Sequence, residues 1–99
     1  MSEQSRQVEI VNRKGLHARA SAKLAELALT LPAIVTGSFE GESADARSIM
    51  DLLCLGAGLG SSVTLSADGD DAPSALDASE ALFQDGFGEL AEDAACACK

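Results

Sequence analysis

The sequence predicts an open-faced α/β sandwich, a four-stranded sheet covered on one face by helices. Three observations predict it. Apolar side chains alternate with period two in Gln7-Val8-Glu9-Ile10 and again in Val63-Thr64-Leu65-Ser66-Ala67, as half-buried strands require. Between them, apolar residues recur at helical spacing from about 18 to 30 and from about 48 to 55. The resulting order is β-α-β-β-α-β-α, with a link of hairpin length between the second and third strands. Ninety-nine residues make one domain with a modest core and need no metal or disulfide staple.

The first strand is placed over residues 7–12, and Gly15 marks the turn after it. The first helix follows over 18–30. Ala18, Ala22, Ala25 and Leu29 form its apolar face, widened by Leu24, Ala28 and Leu31, while Lys23, Glu26 and Thr30 form the polar stripe. Pro32 closes that helix. Ala33 to Ser38 is the second strand, Phe39-Glu40-Gly41 the turn, and Glu42 to Ala44 a short third strand.

Ser48 to Leu55 reads as the second helix, with Ile49, Leu52, Leu53 and Leu55 apolar and Cys54 expected in the core. Gly56, Gly58 and Gly60 break it into a loop. Their spacing is not that of a nucleotide-binding G-x-G-x-x-G turn. Val63 to Ala67 is the fourth strand, and Asp68-Gly69-Asp70-Asp71 is a turn. The third helix starts near Ala72-Pro73, where proline suits a first turn, turns Leu76, Leu82 and Phe83 inward, and ends at Gly86. Residues 1–6 are expected to be a disordered N-terminus and 89–99 a frayed acidic tail.

Charge is spread unevenly. Residues 1–47 carry six basic and six acidic side chains, whereas residues 48–98 carry ten acidic ones and no basic one. Such a surface repels nucleic acid and anionic membrane, so neither is an expected partner. Much of the acid serves solubility, and the one basic region marks a working face. No apolar run approaches the ~18 residues of a membrane span and residues 1–6 are polar, which leads to an expected cytoplasmic location. Three cysteines, two of them Cys96 and Cys98, make no disulfide framework, in keeping with a reducing compartment, and two tail cysteines are too few for a closed zinc site. No cofactor or metal is expected.

The basic region surrounds the only histidine, His17, where strand gives way to helix. Arg13, Lys14, Arg19 and Lys23 all lie within six residues of it. A helix start is an anion site, because its free N–H groups and the positive end of the macrodipole point outward. An imidazole there, with a guanidinium two residues on, suits temporary carriage of a phosphoryl group. The plainer reading is that His17 is a solvated or capping residue. Ser48 is likewise a usual N-cap before an apolar helical run.

Gly15-Leu16-His17-Ala18-Arg19-Ala20-Ser21-Ala22-Lys23-Leu24 and Arg47-Ser48-Ile49-Met50-Asp51-Leu52-Leu53-Cys54-Leu55-Gly56-Ala57-Gly58 resemble the two signature regions of the HPr family. These are the histidine-containing phosphocarriers of the bacterial phosphoenolpyruvate-dependent phosphotransferase system. The resemblance runs over residues 7–88 and implies an open-faced βαββαβα sandwich, with a four-stranded antiparallel sheet and three helices on one face. It implies that His17 takes a phosphoryl group on Nδ1 from Enzyme I and passes it to a IIA-type protein. Arg19 matches the arginine that offsets phosphoryl charge. Ser48 matches the serine modified by an HPr kinase/phosphorylase, and a phosphate is favourable at a helix N-terminus.

Ile49, Leu52 and Leu53 cannot all be buried by one short helix, so part of this stripe is expected to stay exposed as a docking surface. Ala20 stands where many members have proline, which removes rigidity from the first helical turn and nothing else. Features of both the sugar-transport branch and its nitrogen-related counterpart are present. The alternative from another class is an HPr-like regulatory module that docks to a kinase or transcription factor; docking alone would need neither His17 nor Arg19. A stand-alone hydrolase is disfavoured, because a lone histidine has no nucleophile partner.

Overall fold

The computed structural model of the protein describes residues 4–90. Four strands, β1 (Gln4–Glu9), β2 (Ala33–Phe39), β3 (Glu42–Asp45) and β4 (Ser62–Gly69), form one sheet in the order β1-β4-β2-β3. Every neighbouring pair is antiparallel. The helices α1 (Ala18–Leu29), α2 (Ile49–Leu55) and α3 (Ala72–Gln84) are followed by a 3₁₀ turn, Gly86–Gly88. This is the open-faced sandwich that the order of elements predicts.

Alternation decides which side of each strand is covered. Val8 on β1, Val35 on β2 and Val63, Leu65 and Ala67 on β4 are buried beneath the helices, while Gln7, Glu9, Ile34 and Asp68 are exposed. Leu24, Leu52, Leu76 and Phe83 close the core from the helical side. Burying each such side chain contributes about 1.5–3 kcal/mol. Glu40 and Gly41 join β2 to β3 with φ of 51° and 85°. Positive φ at both central residues is the mark of a tight hairpin turn matched to strand twist.

The boundaries differ from expectation in informative places. Residues 4–6, expected to be disordered, are the first half of β1, because they pair in register with Ala67, Ser66 and Leu65 of β4. Arg6 also reaches Asp77 and Glu80 of α3, tying this edge strand to the helical layer. The first strand ends at Glu9 rather than at residue 12, yet the alternation continues beyond it. Ile10 exchanges backbone hydrogen bonds with Gly60 and Ser61, and Val8, Ile10 and Asn12 all point inward.

On α1 the buried face is Ala20, Ser21, Leu24, Ala25 and Ala28, and the expected Ala18 and Leu29 are exposed. Alanine at nearly every phase leaves the sequence without a sharp stripe. The helix is oriented by Leu24 and by Ser21, whose hydroxyl donates to the Leu16 carbonyl. Cys54 is exposed, not a core residue, because α2 turns Leu52 and Leu55 to the sheet instead. Leu82 on α3 is only half-buried. Cys96, Cys98 and the rest of the expected tail beyond residue 90 lie outside the described residues.

Candidate functional site

The site is built by a loop that reverses the chain between β1 and α1. Asn12 accepts from the Gly15 N–H through its carbonyl and donates through Nδ2 to the Gly15 carbonyl at 2.9 Å. Gly15 has φ of 66°, and a Cβ placed on it would lie 2.5 Å from the Ala57 carbonyl oxygen. No other residue fits there without backbone movement. The loop after α2 is thus the floor on which this turn rests, and Leu16 N–H donates to the Ala57 carbonyl at 3.1 Å.

His17 follows as the N-cap of α1, with extended backbone (φ −79°, ψ −177°). Its Nδ1 accepts from the Arg19 N–H at 3.3 Å, so the ring does the work of a capping side chain. Its other nitrogen, Nε2, lies 2.6 Å from Glu89 Oε2. The imidazole is about one-quarter exposed, and Arg19 Nε donates to the same Glu89 oxygen at 3.2 Å.

Glu89 is the residue that the sequence reading missed. Expected in a frayed tail, its side chain is only 2% exposed. Asn12, fully buried, donates to its other oxygen at 3.0 Å. Burial pushes the Glu89 carboxyl up. The hydrogen bonds from Asn12, His17 and Arg19, with the His17 charge, more than offset this and hold it below the usual carboxylate range.

Phe87 carries the chain there. It is completely buried, packs edge-on against Phe83 with ring centroids 4.9 Å apart, and tolerates a φ of 56°. Lys23 Nζ donates to the Phe87 carbonyl at 2.6 Å, which fixes the same segment from α1. An aromatic flanked by Gly86 and Gly88 was the available signal that the chain stays anchored past α3. Val8, Ile10 and Asn12 in period-two register were the signal for Asn12.

The expected basic cluster is therefore only partly assembled on the histidine. Arg19 meets His17 through their shared contact with Glu89, Lys23 holds the Phe87 backbone, and Arg13 and Lys14 are exposed on the loop.

Ser48 is the N-cap of α2, its hydroxyl accepting from the Asp51 N–H at 3.3 Å. Beside it, Arg47 is folded back on Asp45 through 2.8 Å and 3.1 Å contacts. Of the three residues expected in the docking stripe, Ile49 is 40% exposed and Leu53 half-buried. Leu52 is 1% exposed and cannot touch a partner, because it faces the sheet. Met50, not among the residues expected in the docking stripe, is 68% exposed and takes its place in the exposed patch.

Comparison with known proteins adds an independent line. The family model for the PTS HPr component phosphorylation site matches residues 4–85. Phosphocarrier protein HPr of Cupriavidus necator is 50% identical over 84 residues, spanning 85% of this chain and 94% of the relative. Phosphocarrier protein NPr of Shewanella violacea is 45% identical over 89 residues, 90% and 98% of the two chains. Among solved structures, the HPr of Thermoanaerobacter tengcongensis superposes with a TM-score of 0.82 at 35% identity, covering 87% and 97% of the chains. The HPr of Bacillus anthracis gives 0.80 at 30% identity over 84% and 99%.

Proposed function

Since this chain belongs to the HPr family of the phosphotransferase system and is a phosphocarrier, we propose that His17 is the residue that carries the group. On this reading His17 accepts a phosphoryl group on Nδ1 from phosphorylated Enzyme I and passes it to a IIA-type protein. The observation that carries the proposal is the position of the ring. His17 caps α1, so Nδ1 accepts from the Arg19 N–H at the helix start, while the Arg19 side chain is held next to the ring by the Glu89 oxygen that it shares with Nε2.

The chemistry follows from that placement. The Nδ1 lone pair attacks phosphorus, an N–P bond forms, and the bond to the donor breaks with its electron pair leaving on the donor. As the bond forms, the Arg19 N–H is released from Nδ1 to a phosphoryl oxygen. Charge stabilisation and positioning supply most of the barrier reduction in such transfers. The product retains its transfer potential because the P–N bond formed on the imidazole is a high-energy linkage that the next acceptor can cleave. The protein then acts as a carrier rather than as an enzyme with its own turnover.

Ile49, Met50 and Leu53 on α2 supply an apolar docking patch for these partners, and the Gly15–Ala57 contact links that helix to the histidine loop. Ser48, at the head of α2, is the proposed target of an HPr kinase/phosphorylase. No helix among the described residues is long and apolar enough to cross a membrane, and the cytoplasm is the proposed location.

The experiment is incubation with Enzyme I and labelled phosphoenolpyruvate. One acid-labile, alkali-stable phosphoryl group per chain is expected, and none in His17→Ala. Label that persists in His17→Ala sinks the assignment.

A further inference from the structure

We infer that Glu89 is a positioning residue for phosphoryl transfer: it holds the proton of His17 on Nε2, keeps the Nδ1 lone pair directed at the helix N-terminus, and balances the positive charge that the ring acquires. The inference rests on the proposed role of His17.

Two contacts on opposite ring nitrogens decide the tautomer. Arg19 N–H is a donor only, so the Nδ1 that accepts from it carries a lone pair. In the neutral ring the proton then sits on Nε2, and the partner 2.6 Å away is an ionised carboxylate, which is an acceptor only. The imidazole is held as the form in which Nδ1 is the nucleophile and Nε2 is not. When the Nδ1 lone pair forms the N–P bond, the ring becomes an imidazolium-like cation with its proton still on Nε2. The Glu89 carboxylate already touches that proton, so no proton has to move and no charge has to be imported. A carboxylate that orients an imidazole and stabilises its cationic form is a known device of acyl-transfer sites. Here the same physical arrangement would serve phosphorus.

Glu89 can do this only because it is itself fixed. Asn12 holds Oε1 from the β1 side, and Arg19 holds Oε2 from α1. Phe87 anchors the chain two residues before it. Oε2 therefore touches both the ring and the guanidinium, which registers the nucleophile against the cation that meets the phosphoryl oxygens.

The test reads the ring and the rate separately. His17 is the only histidine, so long-range ¹H–¹⁵N spectra of the labelled, unphosphorylated protein report it alone. Wild type is expected to show Nδ1 unprotonated and Nε2 protonated. In Glu89→Ala the two shifts should move toward each other as the tautomers mix, and the maximal rate of phosphorylation by Enzyme I should fall roughly tenfold to a hundredfold, the effect of losing one charge-assisted hydrogen bond to the reacting ring. Glu89→Gln keeps an acceptor and loses the charge. It should keep the wild-type nitrogen pattern with a smaller rate loss.

A folded Glu89→Ala variant with wild-type rate overturns the inference, and so does a rate loss with unmoved nitrogen shifts. If the alanine variant does not fold, Glu89→Gln decides: a wild-type rate overturns the inference and a reduced one supports it. Label that persists in His17→Ala would instead refute the role of His17, a separate result from any rate change at Glu89.

Discussion

Two residues apart on one helix end, His17 and Arg19 are the proposed nucleophile and its counter-charge. The Arg19 side chain is half exposed and bonded to Glu89 at 3.2 Å, so in the resting protein its charge is already engaged. In the proposed transfer it turns from Glu89 toward the dianion. A charge-assisted contact of this kind contributes about 1.5–3 kcal/mol, so Arg19→Ala should slow transfer roughly tenfold to a hundredfold while the protein still melts cooperatively. An unchanged rate would show that the backbone N–H groups of the helix start suffice.

Glu89 also makes a prediction about acid. Its folded carboxyl is held below the ordinary value, so it binds its proton less readily than in the unfolded chain. The stability it contributes is complete above about pH 4.3, the unfolded value, and is lost as pH falls through the lower folded value. Thermal melts should therefore place Glu89→Gln below wild type at neutral pH, with the gap narrowing as the pH is lowered past 4. A gap that widens in acid would reverse the sign and refute the ionised, bonded carboxylate.

The helix starts and the turn before α1 set the second scale. Ser48 caps α2 through one long hydrogen bond, so Ser48→Ala should cost about 0.5–1 kcal/mol, or a few degrees in melting temperature. Ser48→Asp keeps a good capping acceptor and adds charge beside the exposed Ile49 and Met50. It should raise the Enzyme I concentration needed for half-saturation with little change in melting. If Ser48→Asp docks normally, the serine is a cap and the proposed switch fails.

Gly15→Ala tests the turn itself. The added methyl would meet the Ala57 carbonyl, so it should both destabilise the fold and displace His17. A variant with normal melting and normal transfer would contradict the tight contact between the two loops.

On the scale of the whole molecule, the segment after α3 is what closes the site. Phe87 fills the core beside Phe83 and delivers Glu89 two residues later, so the core and the proposed site share one anchor. Phe87→Ala should cost about 3–5 kcal/mol, as large-to-small changes at buried aromatics do. The survivors should transfer more slowly at a temperature where they remain folded. Arg6→Ala is the contrasting control. It removes a tie between β1 and α3 that involves none of the residues bonded around His17, and transfer should be unaffected. Phosphorylation kinetics alongside melting curves would show whether the two variants separate in this way.

By itself the sequence determined the alternation of β1 and β4, the strand β2 and the helices between them, the hairpin at Glu40-Gly41, and the place of His17 at a helix start with Arg19 in its first turn. Those follow from interactions within a few residues: period, turn chemistry and capping. Only the tertiary structure decided which face of the alanine-rich α1 is buried, that Leu52 rather than Cys54 points inward from α2, and that Glu89 returns to His17. The last is a contact across 72 residues, and no local pattern encodes it. It arises because Phe87 gains more from burial against Phe83 than the chain loses by holding a positive φ, which brings a carboxylate to the end of α1 where two donors and a buried asparagine can keep it ionised.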